Sequence, residues 1–289
     1  VALSTILAAL ATFTLARSLL APVKRLVEGT HKLAAGDFTT RVTPTSTDEL
    51  GKLAQDFNQL ASTLEKNQHI SHELRTPLAV LRGELEAIQD GVRQFTPDSV
   101  ASLQAEVGTL TKLVDDLHQL SMSDEGALAY QKSSLDLIPL LEVASGAFRE
   151  RFASRGLTLQ LSLPDSMTVF GDRDRLMQLF NNLLENSLRY TDSGGGLHIS
   201  AEQRERMVLL TFADSAPGVS DEQLQKLFER FYRTEGSRNR ASGGSGLGLA
   251  ICVNIVQAHN GLIRAAHSPF GGVSITVELP LERDLQRDV

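Results

Sequence analysis

A histidine and a glutamate stand side by side in the stretch His72-Glu73-Leu74-Arg75-Thr76-Pro77. A neutral imidazole is a nucleophile near physiological pH, and a neighbouring carboxylate can orient it or accept its second proton. On a helix the hydroxyl of Thr76 comes to the same face as His72, and Pro77 removes one backbone donor beside them. An ordinary surface histidine on an amphipathic helix fits the same residues, so the downstream sequence must decide.

Two asparagines, Asn182 and Asn186, lie four residues apart in an amphipathic helical pattern. They therefore share one helix face, and their neutral oxygens suit Mg2+ that carries nucleotide phosphates. A glycine cluster from Gly243 to Gly248 opens another apolar helical pattern, and such a turn offers unshielded N–H groups to phosphates. The sequence fits neither the Rossmann fingerprint nor the P-loop, because it lacks the compact βαβ unit and the Gly-Lys-Ser/Thr sequence.

The motifs follow one another in an order and spacing that resembles the sensor histidine kinases of bacterial two-component systems, over nearly the whole chain. The kinases of envelope-stress signalling are the most similar members. The matching segments are His72 to Pro77 for the H box, Asn182 to Tyr190 for the N box, Asp214 to Gly218 for the G1 box, Phe228 to Arg233 for the F box, Gly243 to Gly248 for the G2 box and Gly271 to Ser274 for the last glycine box.

The resemblance implies a multidomain fold. An all-α HAMP signal-relay domain and a helical hairpin, which dimerises into a four-helix bundle, would precede an α+β sandwich ATP-binding domain of the histidine kinase and Hsp90 type. The expected boundaries are 1–18 for the end of a transmembrane helix, 19–68 for the HAMP domain, 69–122 for the dimerisation and histidine phosphotransfer domain, and 123–289 for the catalytic ATP-binding domain.

The resemblance also implies how the phosphoryl group moves. His72 would attack the γ-phosphate of ATP with Glu73 as its base, and the group would then pass to an aspartate of a cognate response regulator. Arg189 and Arg233 would neutralise the charge that develops on the transferred group. The hydroxyl of Thr76 would position the water that hydrolyses the regulator's aspartyl phosphate, which makes the chain a phosphatase as well.

A further set of residues would bind the nucleotide by the same resemblance. Asn186 would ligate Mg2+, with Asn182 assisting through phosphates or water. Asp214 would accept a hydrogen bond from the adenine amino group, and Tyr190 would pack on the ring. The backbone expected to approach the nucleotide belongs to Gly218, Gly244, Gly246, Leu247 and Gly248. Two positions depart from the usual family pattern, Ser215 where Asn is common and Ala216 where Gly is common, and modest effects on ATP affinity are expected.

Composition agrees with these expectations. The 289 residues are 42% hydrophobic, enough for more than one small core. The net charge of -7 argues against nucleic acid as the main partner. The single cysteine, Cys252, allows no internal disulfide and indicates a reducing compartment; it is most simply a core residue. Residues 1–16 carry no charge and Arg17, Lys24 and Arg25 follow, which predicts the end of a transmembrane helix with the rest of the chain in the cytoplasm. The resemblance implies that this membrane is the bacterial inner (cytoplasmic) membrane and that the cytoplasmic part is the catalytic region.

Four apolar seams are predicted before the ATP-binding region. Their positions are Leu20, Val23, Val27 and Ala34; Leu50, Leu53, Phe57, Leu60 and Leu64; Leu74, Leu78, Leu81, Leu85 and Ile88; and Leu103, Val107, Leu110, Val114 and Leu117. Such narrow seams are unstable alone, so dimerisation is expected to bury them. The hairpin should break at Phe95 to Asp98. The junction Glu65 to His69 is a turn or two shorter than is usual in the family, enough to rephase a coiled coil.

The ATP-binding region has mixed periodicity. Strands are expected at Leu157 to Leu161, Met207 to Phe212 and Val273 to Leu279, and helices at Leu137 to Phe152, Asp174 to Tyr190 and Leu247 to His259. These patterns predict a sheet with helices on one face. The polar segment from Thr234 to Gly243, which holds Arg238 and Arg240, resembles an ATP lid, although solvated loops of this composition are common.

Two other functions remain open on the sequence alone. An ATPase or chaperone-like member of the same superfamily would place a water-activating Glu where this chain has Asn182 and would lack the H box. A non-catalytic signalling scaffold would have lost one or more of the motifs.

Overall fold

The computed structural model describes residues 22–35, 37, 39–44, 49–64, 70–94, 96–124, 127–234 and 244–282. Within those ranges the side chains of residues 63, 64, 70–73, 75 and 76 are not described. The predicted membrane segment (1–18), the junction before the H box (65–69) and most of the predicted lid (235–243) lie outside the described residues. The chain divides into two compact units, Val1–Ser121 and Met122–Val289.

Four helices make up the described part of the first unit. They are α1 (residues 22–34), α2 (Glu49–Leu64), α3 (Ile70–Gln89) and α4 (Pro97–Asp124), the last of which ends three residues into the second unit. A reciprocal cap begins α4, because the Ser99 N–H donates to Thr96 Oγ1 (3.2 Å) and the Thr96 N–H donates to Ser99 Oγ (2.9 Å). Helix α3 ends at Gln89 and α4 begins at Pro97, so the two helices are separate as predicted, but the break lies earlier than the predicted Phe95 to Asp98, of which Phe95 is outside the described residues.

The apolar seams of the first unit bury one another within a single chain. One core is lined by residues of all four helices: Val23, Leu26, Val27 and Thr30 of α1, Leu50, Leu53 and Phe57 of α2, Leu74, Leu78 and Leu81 of α3, and Val107, Leu110 and Val114 of α4. Polar contacts join the same helices, His31 to Arg82 (Nε2 to Nη1, 3.2 Å) and Gln59 to His118 (Nε2 to Nε2, 2.8 Å). Part of each predicted seam is therefore buried by helices of its own chain.

The second unit is an α+β domain. Its elements in chain order are β1 (Ser133–Asp136), α5 (Leu137–Ser154), β2 (Thr158–Ser162), β3 (Thr168–Gly171), α6 (Arg173–Tyr190), β4 (Gly196–Arg204), β5 (Met207–Ser215), α7 (Asp221–Lys226), α8 (Gly248–Ala258), β6 (Leu262–His267) and β7 (Gly271–Pro280). The strands form a five-stranded sheet of order β2-β4-β5-β7-β6 and a two-stranded sheet of β1 and β3. The β2–β4 pair is parallel, and the other pairs are antiparallel.

One face of the large sheet forms the core with the helices. Val208, Leu210 and Phe212 of β5 alternate on that face with almost no exposure, and Phe212 packs near Phe180 of α6, with ring centroids 6.3 Å apart. The opposite face carries more polar pairs, such as Thr211 beside Thr276. The predicted architecture, a helical region followed by a sheet domain with helices on one face, is confirmed.

Six elements of the domain were predicted close to their observed bounds, and the other five were not predicted. The three predicted helices are α5, α6 and α8, and the three predicted strands are β2, β5 and β7. The sequence patterns did not predict β1, β3, β4, β6 or α7. No helix among the described residues is both long and apolar enough to cross a membrane.

Candidate nucleotide and phosphotransfer site

Helix α6 presents the predicted amides at the margin of its buried stripe. It begins at Asp172, whose Oδ1 accepts the N–H groups of Asp174 and Arg175, each at 3.1 Å. The stripe that packs into the domain core comprises Leu176, Leu179, Phe180, Leu183, Leu184 and Leu188. Asn182, Asn186, Arg189 and Tyr190 lie beside it and are half-buried. The core therefore fixes the helix while the polar side chains stay accessible.

The first amide meets the N-terminus of α8. The Asn182 Nδ2 lies 3.4 Å from the carbonyl oxygen of Gly248, the first residue of that helix. Leu247 precedes it and is fully buried, which anchors the turn in the core. The first N–H groups of a helix lack intrahelical partners and attract anions. The predicted phosphate-binding backbone thus lies beside one of the predicted amides.

Arg189 lies against the glycine cluster. A Cβ atom added at Gly244 would stand 2.3 Å from Arg189 Nη1, so the guanidinium would have to shift if Gly244 were replaced. The guanidinium is also 3.6 Å from Glu185, which pairs with Arg151 at 2.8 Å. The structure therefore brings a cation of α6 to the segment that leads into α8.

Gly246 and the predicted F box form a second close approach. A Cβ atom at Gly246 would lie 2.8 Å from the backbone Cα and C of Phe231, and Gly246 has φ +68°. This conformation suits glycine because it lacks a Cβ. The predicted F box, Phe228 to Arg233, forms turns after α7, and Arg233 is half-buried.

Asp214 occupies the next core-facing position of β5 after Phe212. Its side chain is 6% exposed, and both carboxylate oxygens are hydrogen-bonded. The backbone N–H of Val273 donates to Oδ1 at 2.6 Å, and the hydroxyl of Ser187 donates to Oδ2 at 3.1 Å. Burial raises the pKa of Asp214 to about 6, while these two hydrogen bonds lower it.

Glycines make room around Asp214. A Cβ atom at Gly272 would lie 2.3 Å from Asp214 Oδ1, and one at Gly218 would lie 2.8 Å from the carbonyl oxygen of Gly271. Ser215, one of the departures from the family pattern, accepts the N–H of Gly196 at its Oγ (2.9 Å). Ser215 therefore ties the ends of β4 and β5 together.

The predicted phosphoacceptor segment belongs to the first unit. The backbone of His72, Glu73 and Thr76 is helical and lies in the first two turns of α3, and Pro77 stands inside the same helix. Thr76 therefore follows His72 by about one turn. The side chains of these three residues are outside the described part, so the site residues whose geometry is described belong to the second unit.

Sequence reasoning missed the partners of Asp214. Ser187 interrupts the apolar stripe of α6 between Leu184 and Leu188. A small polar residue at a core position was the available signal, since buried hydroxyls usually have a hydrogen-bond partner. The N–H of Val273 left no such signal, because a backbone donor does not depend on residue type.

The polar groups of this site suit a metal ion that is bound together with a nucleotide better than a metal ion that is bound by protein side chains alone. Among the described residues, no group of three or more His, Cys, Asp or Glu side chains could hold a metal ion. Mg2+ usually keeps several waters and takes few protein ligands beside substrate phosphates. The half-buried amides of α6, beside the glycine cluster and the start of α8, meet that requirement.

Three family descriptions match successive parts of the chain. Residues 14–66 match the HAMP domain, residues 65–126 match the His Kinase A (phospho-acceptor) domain, and residues 171–283 match the histidine kinase-, DNA gyrase B- and HSP90-like ATPases. His72 lies within the second match. Asn182 and Asp214 lie within the third.

Curated relatives match the chain over most of its length. The chain is 87% identical to the signal transduction histidine-protein kinase BaeS of Escherichia coli, covering 100% of this chain and 64% of that protein. It is 35% identical to the sensor protein SphS of Synechococcus elongatus, covering 84% of this chain and 62% of that protein. The chain thus spans less than two thirds of the length of these relatives. The alignment with BaeS is 297 positions long, whereas this chain has 289 residues, so the alignment includes gaps in this chain.

Solved structures share the fold. The histidine kinase AdeS of Acinetobacter baumannii superposes with a TM-score of 0.63 at 31% identity, covering 73% of this chain and 98% of that one. The histidine kinase ThkA, solved in complex with the response regulator protein TrrA, superposes with a TM-score of 0.60 at 21% identity, covering 77% of this chain and 63% of that one. The second likeness concerns the fold alone.

Proposed function

The chain belongs to the sensor histidine kinases of two-component systems, and we propose that it phosphorylates its own His72 with ATP and passes the phosphoryl group to an aspartate of a cognate response regulator. The arrangement around Asp214 is the observation that carries this proposal. A buried carboxylate, the amides of α6 and the glycine-rich start of α8 meet in one domain, and the same chain holds a His-Glu pair on helix α3.

Recognition of the adenine would rest on Asp214. Its carboxylate faces the helical layer and accepts two hydrogen bonds from the protein, which leaves further lone pairs for the exocyclic amine. Tyr190, at the end of α6, would pack on the ring. Gly218 and Gly272 keep the surroundings of the carboxylate open, because side chains there would collide with backbone or with Asp214 itself.

The triphosphate would lie along α6 toward the glycine cluster. The backbone of Gly244, Gly246, Leu247 and Gly248 would donate to the phosphates, aided by the positive end of α8. Asn186, assisted by Asn182, would hold Mg2+ against the phosphates, and this ion would supply charge neutralisation and in-line positioning. Arg189 lies beside Gly244, where it can neutralise charge on the transferred group, and Arg233 would act with it.

His72 would be the nucleophile of the transfer. Glu73 would hold the imidazole in the tautomer that exposes a lone pair and would take the second proton. The product phosphohistidine would then be attacked by the regulator's aspartate. In the opposing phosphatase reaction, Thr76 would orient the water that hydrolyses the aspartyl phosphate of the regulator.

The proposed partners follow from the family and from the relatives that match the chain. A homodimer formed through the phosphoacceptor hairpin, and a BaeR-like response regulator in envelope-stress signalling, are the expected protein partners. ThkA, with the same fold, was solved with a response regulator. The segment at 1–18 would anchor the chain in the bacterial inner membrane, with the catalytic region in the cytoplasm and no nucleic acid partner.

A radiolabel experiment tests the function against its alternatives. With γ-labelled ATP and Mg2+, a histidine kinase gives phosphate on the protein, an ATPase gives phosphate in solution, and a scaffold gives neither. The bound phosphate should be acid-labile and alkali-stable, as expected of phosphohistidine. His72→Gln should abolish the labelling, and His118→Gln, which changes an exposed histidine of α4, should preserve it. An acid-stable linkage, or full labelling of His72→Gln, would exclude His72 from the role.

A further inference from the structure

We propose that Ser187 is a positioning residue for nucleotide recognition, which holds the carboxylate of Asp214 in the orientation that reads the 6-amino group of adenine. This role rests on the proposed function, in which Asp214 accepts a hydrogen bond from that amino group. It adds to the site a residue that does not itself touch the nucleotide in the proposed arrangement.

The carboxylate is held from two different elements. Ser187 of α6 is 4% exposed, and its hydroxyl donates to Oδ2 at 3.1 Å, while the N–H of Val273 in β7 donates to Oδ1 at 2.6 Å. With one anchor on each oxygen, rotation of the carboxylate about its Cβ–Cγ bond would break at least one hydrogen bond. Because Val273 donates through its backbone, Ser187 is the anchor that a change of side chain can remove.

The position of Ser187 on α6 links two parts of the proposed site. Ser187 follows Asn186 directly and faces the core, while Asn186 is half-buried at the margin of the helix. The same turn of helix therefore holds the Asp214 carboxylate on one side and a proposed Mg2+ ligand on the other. Adenine and phosphate recognition would share this rigid turn.

The charge state of Asp214 supports the same role. Burial raises its pKa to about 6, against the hydrogen bonds from Val273 and Ser187, which lower it. Loss of the hydroxyl should raise that pKa further, and a protonated carboxyl accepts the amine less well. Some of the charged or titratable groups on neighbouring elements pair with one another or with nearby residues: Glu185 with Arg189 on α6, His198 of β4 with Ser162, and Glu278 of β7 with Arg264.

A purely packing role is the competing explanation. Ser187 lies where α6 packs into the core, and a small residue there could simply allow close approach. The two roles differ in their consequences for specificity. Altered packing would weaken binding of every nucleotide alike, whereas loss of an anchor on Asp214 would weaken binding of those that present an amino group to it.

The test measures dissociation constants of the full chain for ATP and for inosine triphosphate, which carries a keto oxygen in place of the amino group. Titrations between about pH 5 and 8 would cover the ionisation of Asp214. Ser187→Ala should bind ATP about tenfold more weakly at neutral pH, as expected for loss of a hydrogen bond to a charged group. Its binding of inosine triphosphate should change little. As the pH is lowered, Ser187→Ala should begin to lose affinity for ATP at a higher pH than the wild-type protein.

Two further variants control for folding and packing. Ser145→Ala removes another fully buried serine hydroxyl, from α5, and should leave both affinities and the pH profile unchanged. Ser187→Cys keeps a similar volume with a much weaker donor, so it should also lose preference for ATP without leaving a cavity.

The outcomes separate this inference from the proposed function. If Ser187→Ala and Ser187→Cys keep the full preference for ATP and the original pH profile, Ser187 has only a packing role and the proposal is overturned. If the unchanged chain binds both nucleotides equally, the role of Asp214 in the proposed function fails, and the role of Ser187 fails with it. A preference that is present in the unchanged chain and reduced in both variants supports the positioning role.

Discussion

The carbonyl oxygen of Gly246 accepts a hydrogen bond from the N–H of Phe231 at 3.0 Å, and both residues have left-handed backbone conformations, with φ +68° and +63°. Two segments that lie apart in sequence, the predicted F box and the glycine cluster, are joined at this point. The proposed phosphate-binding turn before α8 therefore depends on the turns that follow α7.

Gly246→Ala should weaken ATP binding and autophosphorylation at least tenfold. The added Cβ would lie 2.8 Å from the Phe231 backbone, which must move, and the positive φ adds strain of about 1 kcal/mol. Gly194→Ala is the matched control, because Gly194 also has a positive φ (+86°) but a Cβ there would meet nothing within 4 Å. Nucleotide titration and thermal unfolding of both variants would check this. If both variants lost affinity for ATP equally, the cause would be backbone strain at a positive φ and not the close approach of Gly246 to Phe231.

Asn186→Asp should abolish autophosphorylation while leaving the fold intact. The amide is proposed to hold Mg2+ against the triphosphate, so the change disturbs positioning and charge together. Asn181→Asp makes the same change on the same helix five residues earlier, on a different face, and should retain activity. Labelling rates and unfolding curves of the two variants would be compared. Near-normal labelling of a well-folded Asn186→Asp variant would remove the residue from the site.

Thr76→Ala should separate two activities, sparing autophosphorylation and removing phosphatase action on the phosphorylated regulator. In the proposed mechanism the kinase step uses His72 and Glu73 and makes no demand on this hydroxyl. A Thr→Ala change on a helix slightly favours the helical state, so misfolding is not expected. Alternatively, Thr76 only bonds its own i−4 carbonyl beside Pro77. Both rates measured on one preparation decide, and an unchanged phosphatase rate would leave Thr76 a structural residue.

The stability of the ATP-binding domain should fall on acidification because of His259. Its Nδ1–H donates to the carbonyl of Ile255 (2.7 Å), and its Nε2 accepts the N–H of Asp172 (2.9 Å), so the folded state holds the neutral ring. Burial lowers its pKa below the ordinary 6.5, and nearby Lys132 lowers it too. The folded state then binds fewer protons than the unfolded state, so this contribution is complete above pH 6.5 and declines as the pH falls toward the folded-state pKa.

Urea unfolding at neutral and mildly acidic pH would measure this effect. His259→Gln should cost about 1–3 kcal/mol at neutral pH, since it disturbs a buried hydrogen bond, but it should flatten the acid dependence. His267→Gln alters an exposed histidine paired with Asp221 and should leave the acid dependence largely unchanged. An undiminished acid loss in His259→Gln would assign the effect to other groups.

The sequence predicted the long elements because their periodicity is strong. Helix α6 shows a long apolar stripe that is interrupted at Ser187, β5 is a mostly apolar run, and β7 alternates apolar and polar residues. Strands β1 and β3 have four residues each and form a two-stranded sheet with one another, so each has too few positions for a pattern. In β4 the buried residues Leu197 and Ile199 are followed by a polar end, which concealed the strand.

Sequence reasoning proposed site residues where the residue type suggests the chemistry, and it missed residues whose role depends on their position in the fold. Asn182, Asn186 and Asp214 stood out because their side chains have few other reasons to occupy such places. Ser187 acts through its location under Asp214, which depends on how α6 meets β5. That relationship joins residues 27 apart in sequence, and local periodicity does not report it.

Asp172 connects the start of α6 to the end of α8, and this connection should affect how the domain opens locally. Its carboxylate accepts the N–H groups of Gln131, Asp174 and Arg175, and its own N–H is bound by His259 at the end of α8. The start of α6 and the end of α8 thus share one buried residue. Amide protons at these two helix ends should therefore exchange with solvent in a single cooperative opening of similar free energy, although the segments lie more than eighty residues apart in sequence.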